Sequence, residues 1–93
     1  MSVVIVGGHE RMEGQYKQIC KKYKCKAKVF TKMKSDLRNQ IGSPDLVIIF
    51  TSTASHPMVH CAVTESEKIS AKIERSHSSS ANALKGILEK YAC

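Results

Sequence analysis

The stretch that decides the fold is LVIIFTSTASH, which occupies residues 46–56. Its first five residues are all apolar, which is typical of a strand covered on both faces of a parallel sheet. A tract of Thr, Ser, Ala and His follows, and a helical pattern then begins near Pro57. A buried strand, a short polar loop and a helix together predict an α/β fold.

Two further segments share this design. VVIV at residues 3–6 leads into GGH at 7–9, and IER at residues 73–75 leads into SHSSS at 76–80. In a parallel sheet the three polar tracts would lie at the same edge, outside the carboxyl ends of the strands, where such folds bind ligands. The sequence therefore predicts a ligand site at this edge.

Apolar spacing predicts the remaining elements. A first helix presents one apolar face, made of Met12, Tyr16, Ile19, Cys20 and Tyr23. A half-exposed strand covers Lys26–Phe30, a short helical turn covers residues 35–41, and a fourth strand covers residues 71–75. The helix that starts near Pro57 buries a stripe of Val59, Ala62, Val63 and Ile69. The last helix, capped by Ser79 or Ser80, buries Leu84, Ile87, Leu88 and Tyr91.

Strand composition predicts the order of the sheet. The first and third strands are apolar on both faces, as central strands are, whereas the second and fourth alternate with charges, as edge strands do. Right-handed crossovers then give the order 2-1-3-4. We expect a single α/β domain over residues 1–93, with a four-stranded parallel sheet and helices on both faces.

Length and cysteine usage limit the class of protein. A chain of 93 residues makes one domain, and its small core and exposed edges favour a homodimer. The longest apolar run, Leu46–Phe50, is far short of the roughly 20 residues of a membrane-spanning helix. Four cysteines without a CxxC pair or a signal peptide predict reduced thiols in a soluble, cytoplasmic protein with no membrane partner.

The positive charge is concentrated in one segment. Residues 11–38 hold ten of the fifteen Lys and Arg residues against Glu13 and Asp36, a net charge of +8 in a chain of +7. Residues 17–38 could therefore meet nucleic-acid phosphates. However, Lys26 and Lys28 alternate with Ala27 and Val29, as in an edge strand protected by charge, and Phe30 is the only residue of that strand on which a base could stack. The pattern favours a solvated edge, with nucleic-acid binding as an alternative.

Three segments also resemble a known family. VVIVGGHERMEGQY, DLVIIFTSTASHPMV and RSHSSSANALKGIL are similar to the bacterial family named domain of unknown function 2325, over nearly the whole chain. The resemblance implies a small Rossmann-like domain of bacterial origin and brings no established activity. It points to the same GGH, TSTxSH and HSSS loops.

The glycines of the first loop do not form a nucleotide fingerprint. Gly7 and Gly8 allow positive φ and close approach of the backbone in a strand-to-helix turn. The next glycine is Gly14, so the GxGxxG spacing fails, and GxxxxGK[ST] is also absent. The sequence therefore favours neither a dinucleotide site nor a P-loop.

The histidines suggest a metal or haem ligand. His9, His56 and His77 fall in the three loops, and His60 follows His56 by one helical turn. Neutral imidazole suits zinc, copper or iron, including haem iron, and Cys61 could add a thiolate. Haem would be bound non-covalently, since CxxCH is absent, and would sit in the crevice or at a dimer interface. The alternative is that each histidine caps a helix or bonds to its own loop.

The hydroxyls of the loops suggest a second class of ligand. With Gly7 and Gly8, the residues that could contact haem propionates or a phosphate-bearing anion are Thr51, Ser52, Thr53, Arg75, Ser78, Ser79 and Ser80. Capping alone needs one hydroxyl per helix. None of the three loops contains Lys, so only Arg75 and Arg11 lie near enough in sequence to neutralise an anion.

Catalysis has less support than binding. Ser52 or Ser78 could pair with His56 or His77, but the loops contain no Asp or Glu to orient the base. GxSxG is also absent. We therefore expect a non-catalytic module that binds or senses a cofactor or small ligand.

Overall fold

The computed structural model describes residues 1–32 and 37–91. In chain order its elements are β1 (Ser2–Val6), a 3-10 turn (Glu10–Met12), α1 (Glu13–Lys22), β2 (Lys26–Phe30), α2 (Leu37–Ile41), β3 (Leu46–Phe50), α3 (His56–Lys68), β4 (Lys72–Ser76) and α4 (Ala81–Tyr91). None of the described helices has the length and apolar character needed to cross a bilayer.

The four strands are all parallel and follow the order β2-β1-β3-β4, which confirms the predicted topology. The register places Val6 beside Phe30 and Ile49, and Phe50 beside Ser76. The strands therefore end together at one side, here called the carboxyl edge, which carries loops 7–9, 51–55 and 77–80. The opposite side, where the strands begin, is the amino edge.

The core has two layers because successive side chains of a strand point to opposite faces. Val3 and Ile5 of β1 face α1 and α4, whereas Val4 and Val6 face α2 and α3. All five residues of β3 are buried, as a central strand with covered faces requires. The prediction of helices on both faces of the sheet is therefore confirmed.

Helix α3 differs from its predicted form in two respects. It begins at His56, with Ser55 as N-cap accepting a hydrogen bond from Met58 N at 3.4 Å, so Pro57 is its second residue. Its most deeply buried residues are Met58, Ala62 and Ser66. Val59 and Val63 pack against the core, but the predicted burial of Ile69 was wrong: Ile69 lies beyond the end of the helix and is 38% exposed.

Helices α1 and α3 end in the same hydrogen-bonded turn. Lys24 (φ 59°) and Ser70 (φ 56°) occupy the left-handed position that usually holds glycine. After α1, Lys24 N bonds to Lys21 O and Cys25 N to Cys20 O, both at 2.9 Å. After α3, Ser70 N bonds to Glu67 O at 3.3 Å and Ala71 N to Ser66 O at 3.0 Å. Both helices thus close with a Schellman motif.

Three predicted boundaries are refined. Because Ala71 N completes the turn after α3, β4 starts at Lys72, one residue later than predicted. The predicted turn at residues 35–41 is helical at Leu37–Ile41, while residues 35 and 36 lie outside the described part. Ser80, rather than Ser79, caps α4 by accepting a hydrogen bond from Ala83 N at 3.1 Å.

Candidate ligand-binding site at the carboxyl edge

The first loop is a tight turn that only glycine fits. Gly7 and Gly8 have φ values of 98° and 86°. A Cβ atom on Gly7 would lie 2.9 Å from Phe50 O, and one on Gly8 would lie 2.7 Å from Cε2 of Tyr16. The predicted positive φ and close backbone approach are therefore confirmed at both positions.

Thr53 joins the first loop to the second. Its Oγ1 accepts a hydrogen bond from Gly8 N at 2.6 Å and donates one to Phe50 O at 3.2 Å. A Cβ on Gly7 would also lie 3.1 Å from Cβ of Ala54. The base of the crevice between β1 and β3 is therefore closely packed, and a ligand at this edge would rest on the loops rather than between the strands.

The second and third loops are joined by serine and threonine. Ser52 Oγ donates to the carbonyl of His77, and Thr51 N donates to Ser76 O at 2.9 Å. Within the third loop, Ser76 Oγ donates to Ser78 O at 2.7 Å, and Ser78 Oγ lies 3.1 Å from Ser80 Oγ. Of the hydroxyls predicted to contact a ligand, those of Thr51, Ser52 and Thr53 bond across to a neighbouring loop or to the strand that precedes it, whereas those of Ser78 and Ser80 bond to each other.

Tyr16 is a residue of this edge that sequence reasoning missed. Its hydroxyl donates a hydrogen bond to Ser79 O at 2.6 Å, and its ring packs on Phe50 with centroids 5.4 Å apart. The helical spacing indicated only that Tyr16 is buried, which it fully is. Because a buried tyrosine hydroxyl usually requires a hydrogen-bond partner, the predicted burial of Tyr16 was the sequence signal that could have indicated this contact.

All four histidines are exposed, and their imidazoles have no polar partner in the part of the chain that the structure describes. The side chains of His9, His56, His60 and His77 make no hydrogen bond or ion pair within residues 1–32 and 37–91. His9 is the N-cap of the 3-10 turn, yet its imidazole makes no capping bond. The alternative that these histidines cap helices or bond to their loops is therefore not realised in the described chain.

The four histidines predicted as metal ligands do not form one centre. In the described ranges, no three His, Cys, Asp or Glu side chains are placed to hold a metal ion together. His56 and His60 share a helix, whereas His9 and His77 lie on two other loops. This arrangement suits a ligand that needs one imidazole from the protein better than an ion that needs three.

Within residues 1–32 and 37–91, no cysteine joins the histidines in a metal-binding group. Cys20 and Cys25 lie in the core, where burial, and secondarily the neighbouring Cys25, raises the pKa of the Cys20 thiol to about 11. Cys61 is a half-buried free thiol on α3. The remaining cysteine, Cys93, lies outside the described residues.

Two arginines predicted near the site are available to an anion. Arg11 and Arg75 are both exposed, and neither makes an ion pair with a described residue. By contrast, Lys32 is bonded to Glu10 at 2.6 Å, and this contact raises the pKa of Lys32. Arg75 is the last residue but one of β4 and so lies close in sequence to the third loop.

Two cavities lie against the outer strand β2 rather than between β1 and β3. One of about 240 Å³ is lined by Glu10, Glu13, Val29, Phe30, Thr31 and Lys32. The other, of about 310 Å³, is lined by Lys17, Ala27, Lys28, Val29, Phe30, Asn39 and Gln40. Neither is lined by a histidine.

Four lysines of the basic segment lie at the opposite edge of the sheet from the loops of the candidate site. Lys21 and Lys22 end α1 and Lys26 begins β2, so they lie at the amino edge together with Lys24. These four lysines are exposed and make no ion pair with a described residue. Further along the segment, Lys17 pairs with Glu13 at 3.5 Å and Lys28 donates to Gln40 O at 3.2 Å.

Comparison with known proteins gives one match. The model of the family described as an uncharacterized protein conserved in bacteria (DUF2325) matches residues 2–91. No curated protein and no solved structure matches the chain. Because the family match covers nearly all of the fold, including the three loops of the carboxyl edge, the chain belongs to the DUF2325 family of bacterial proteins.

Proposed function

We propose that the protein is a non-catalytic module that binds haem at the carboxyl edge, with one imidazole of His9, His56 or His77 as axial ligand to the iron. The observation that carries this proposal is the exposure of these three imidazoles together with their lack of hydrogen-bond partners among the described residues. They are exposed, lack polar partners in the described chain and stand on loops that are hydrogen-bonded to one another.

The chemistry of the edge supports haem over a bare metal ion. Haem supplies four of the iron ligands itself, so one or two imidazoles complete the site. Arg75 would meet a propionate, since its guanidinium is exposed without an ion pair in the described ranges. A rigid set of loops also lowers the entropic cost of holding a ligand.

A bound porphyrin needs protection from water on both of its faces. Among the described residues of one copy, the exposed large apolar side chains are Met1 and Ile69, and both lie toward the amino edge. We therefore include a homodimer in the proposal, in which the carboxyl edge of a second copy would cover the other face of the ring and exclude water.

Binding is favoured over nucleophilic catalysis. Ser52 Oγ donates to a backbone carbonyl, and Ser78 Oγ is bonded to Ser80 Oγ and Ser80 N. Neither serine is bonded to an imidazole nitrogen, so among the described residues no serine–imidazole pair is formed that could activate a nucleophile. The same bonds weaken the alternative of a phosphate site built on these hydroxyls.

The experiment is an absorbance titration of the reduced apo-protein with haemin. Three single variants, His9→Ala, His56→Ala and His77→Ala, identify the ligand, and His60→Ala is the matched control. We expect a saturating Soret band in the parent that is lost in at least one edge variant and retained in His60→Ala. If all three edge variants bound haemin as the parent does, the proposal would be wrong.

Nucleic-acid binding is a second candidate. The observation that favours it is the group of four exposed lysines at the amino edge with no ion-pair partners in the described chain. Binding through them would weaken steeply with salt, because each phosphate contact releases counterions. Replacing Lys21, Lys22 and Lys24 by Gln should abolish retention of a labelled duplex at low salt. Absence of binding by the parent protein at low salt would dismiss this candidate.

A further inference from the structure

We propose that His56 and His60 form a two-imidazole site for a divalent transition-metal ion on the outer face of α3. The site differs from the haem site in its ligand set, because both of its ligands come from one helix and His60 is not one of the edge histidines. His56 is common to the two proposals.

The backbone places the two imidazoles on one face. His56 is the first residue of α3, and four residues further along a helix is about one turn, or roughly 6 Å along the axis. The first turn is held by the Ser55 cap, in which Met58 N bonds to Ser55 Oγ at 3.4 Å and Val59 N to Ser55 O at 3.0 Å. Two histidines with this spacing form the zinc-binding face of helical HExxH motifs.

The same face of α3 points away from the core. Met58 and Ala62, which are 2% and 0% exposed, mark the buried side of the helix. At about 100° per residue, His56 and His60 lie on nearly the opposite side. Both are exposed, and neither has a polar partner within the described residues, so their nitrogens are open to a metal.

Donor chemistry limits which ion would bind. Neutral imidazole nitrogen is suited to nickel, copper and zinc and poorly suited to magnesium or calcium, which take oxygen ligands. The described chain offers no third ligand at this place, so water would fill the other positions. The positive end of the helix dipole lies near His56 and disfavours a bound cation. We therefore expect moderate rather than tight affinity for the metal ion.

The test is calorimetric titration of the reduced, tag-free chain with Ni²⁺, which needs no knowledge of a natural ligand. His56→Ala and His60→Ala remove one ligand each, and His77→Ala is the matched control, since His77 is equally exposed but lies on another loop. Because the changed side chains are exposed and unbonded, all variants should keep the circular dichroism spectrum of the parent.

We expect the parent to bind one Ni²⁺ per chain, His56→Ala and His60→Ala each to lose at least tenfold in affinity, and His77→Ala to stay within twofold of the parent. Mg²⁺ should give no heat of binding. Unchanged affinity in His60→Ala, equal loss in His77→Ala, or no binding by the parent would each overturn the proposal. Failure of haem uptake would not change this result, because Ni²⁺ binding is measured in the absence of haem and depends on His60, which has no part in the haem site.

Discussion

The phenolic hydroxyl of Tyr16 lies 2.6 Å from the carbonyl oxygen of Ser79, so a buried side chain of α1 anchors the loop that carries His77. The same ring forms the wall against which Gly8 packs. One core residue therefore fixes two of the three loops of the carboxyl edge.

Tyr16→Phe should lower the free energy of unfolding by about 1 kcal/mol, because it removes this hydrogen bond and keeps the ring. It should also weaken haemin binding, since the third loop loses its anchor. Chemical denaturation and absorbance titration measure the two effects. Tyr91→Phe is the control: it removes a 2.7 Å bond to Glu74 away from the loops, so haemin affinity should stay that of the parent. Equal haemin affinity in all three proteins would contradict the anchoring role.

Gly8→Ala should be among the most destabilising changes in the loops. The added Cβ would lie 2.7 Å from the ring of Tyr16, at a φ of 86° that alanine rarely adopts. We expect the free energy of unfolding to fall by about 2–4 kcal/mol, because the substitution adds both backbone strain and a steric clash. The matched control is Gly14→Ala in α1, where a Cβ meets nothing within 4 Å. In chemical denaturation, the free energy of unfolding of this control should rise by up to about 1 kcal/mol. A similar loss of stability in both variants would contradict the geometry of the turn.

Much of the topology could be predicted from the sequence, because burial leaves a direct mark on composition. LVIIF at Leu46–Phe50 is apolar on both faces, and it is the fully buried strand β3. Lys26 and Lys28 alternate with apolar residues in β2, which is an edge strand. Both patterns are local, because each residue type reflects whether its own side chain is buried or exposed.

The contacts of the carboxyl edge could not be predicted in this way. Thr53 bonds to Gly8 across 45 residues of chain, and Tyr16 bonds to Ser79 across 63. Such bonds depend on how the loops pack after the sheet has formed. Serine- and threonine-rich loops therefore suggested ligand contacts, whereas some of these hydroxyls bond across to a neighbouring loop and others bond within the third loop.

Lys24→Gly and Ser70→Gly should each stabilise the protein. Both residues hold a left-handed φ that costs a residue with a Cβ about 1 kcal/mol and costs glycine little. We expect gains of about 0.5–1 kcal/mol in thermal or chemical denaturation, after the greater entropy of glycine in the unfolded chain is counted. Lys22→Gly, inside the last turn of α1, should instead lose about 0.5–1 kcal/mol. A loss in the first two variants would contradict the two Schellman turns.

Stability should fall at alkaline pH in part because of Cys20. Burial raises the pKa of this thiol from 9.0 to about 11, so the unfolded chain releases its proton at lower pH than the folded chain does. The contribution of the protonated Cys20 thiol to the free energy of unfolding is therefore complete below pH 9, and it is lost as the pH rises from 9 to about 11. In denaturation experiments under reducing conditions, Cys20→Ala should show a shallower decline over this range than the parent. Parallel curves for the two proteins would show that Cys20 does not titrate differently on folding.

The central claim is that an imidazole at the carboxyl edge binds haem iron, and the haemin titration of the reduced apo-protein tests it most directly. The account predicts a Soret band distinct from that of free haemin, which saturates at a fixed ratio of haem to protein. It also predicts that the band disappears when the ligating residue among His9, His56 and His77 is changed to Ala, while His60→Ala retains it. A spectrum that remains that of free haemin, or a band that survives in every edge variant, would contradict the account.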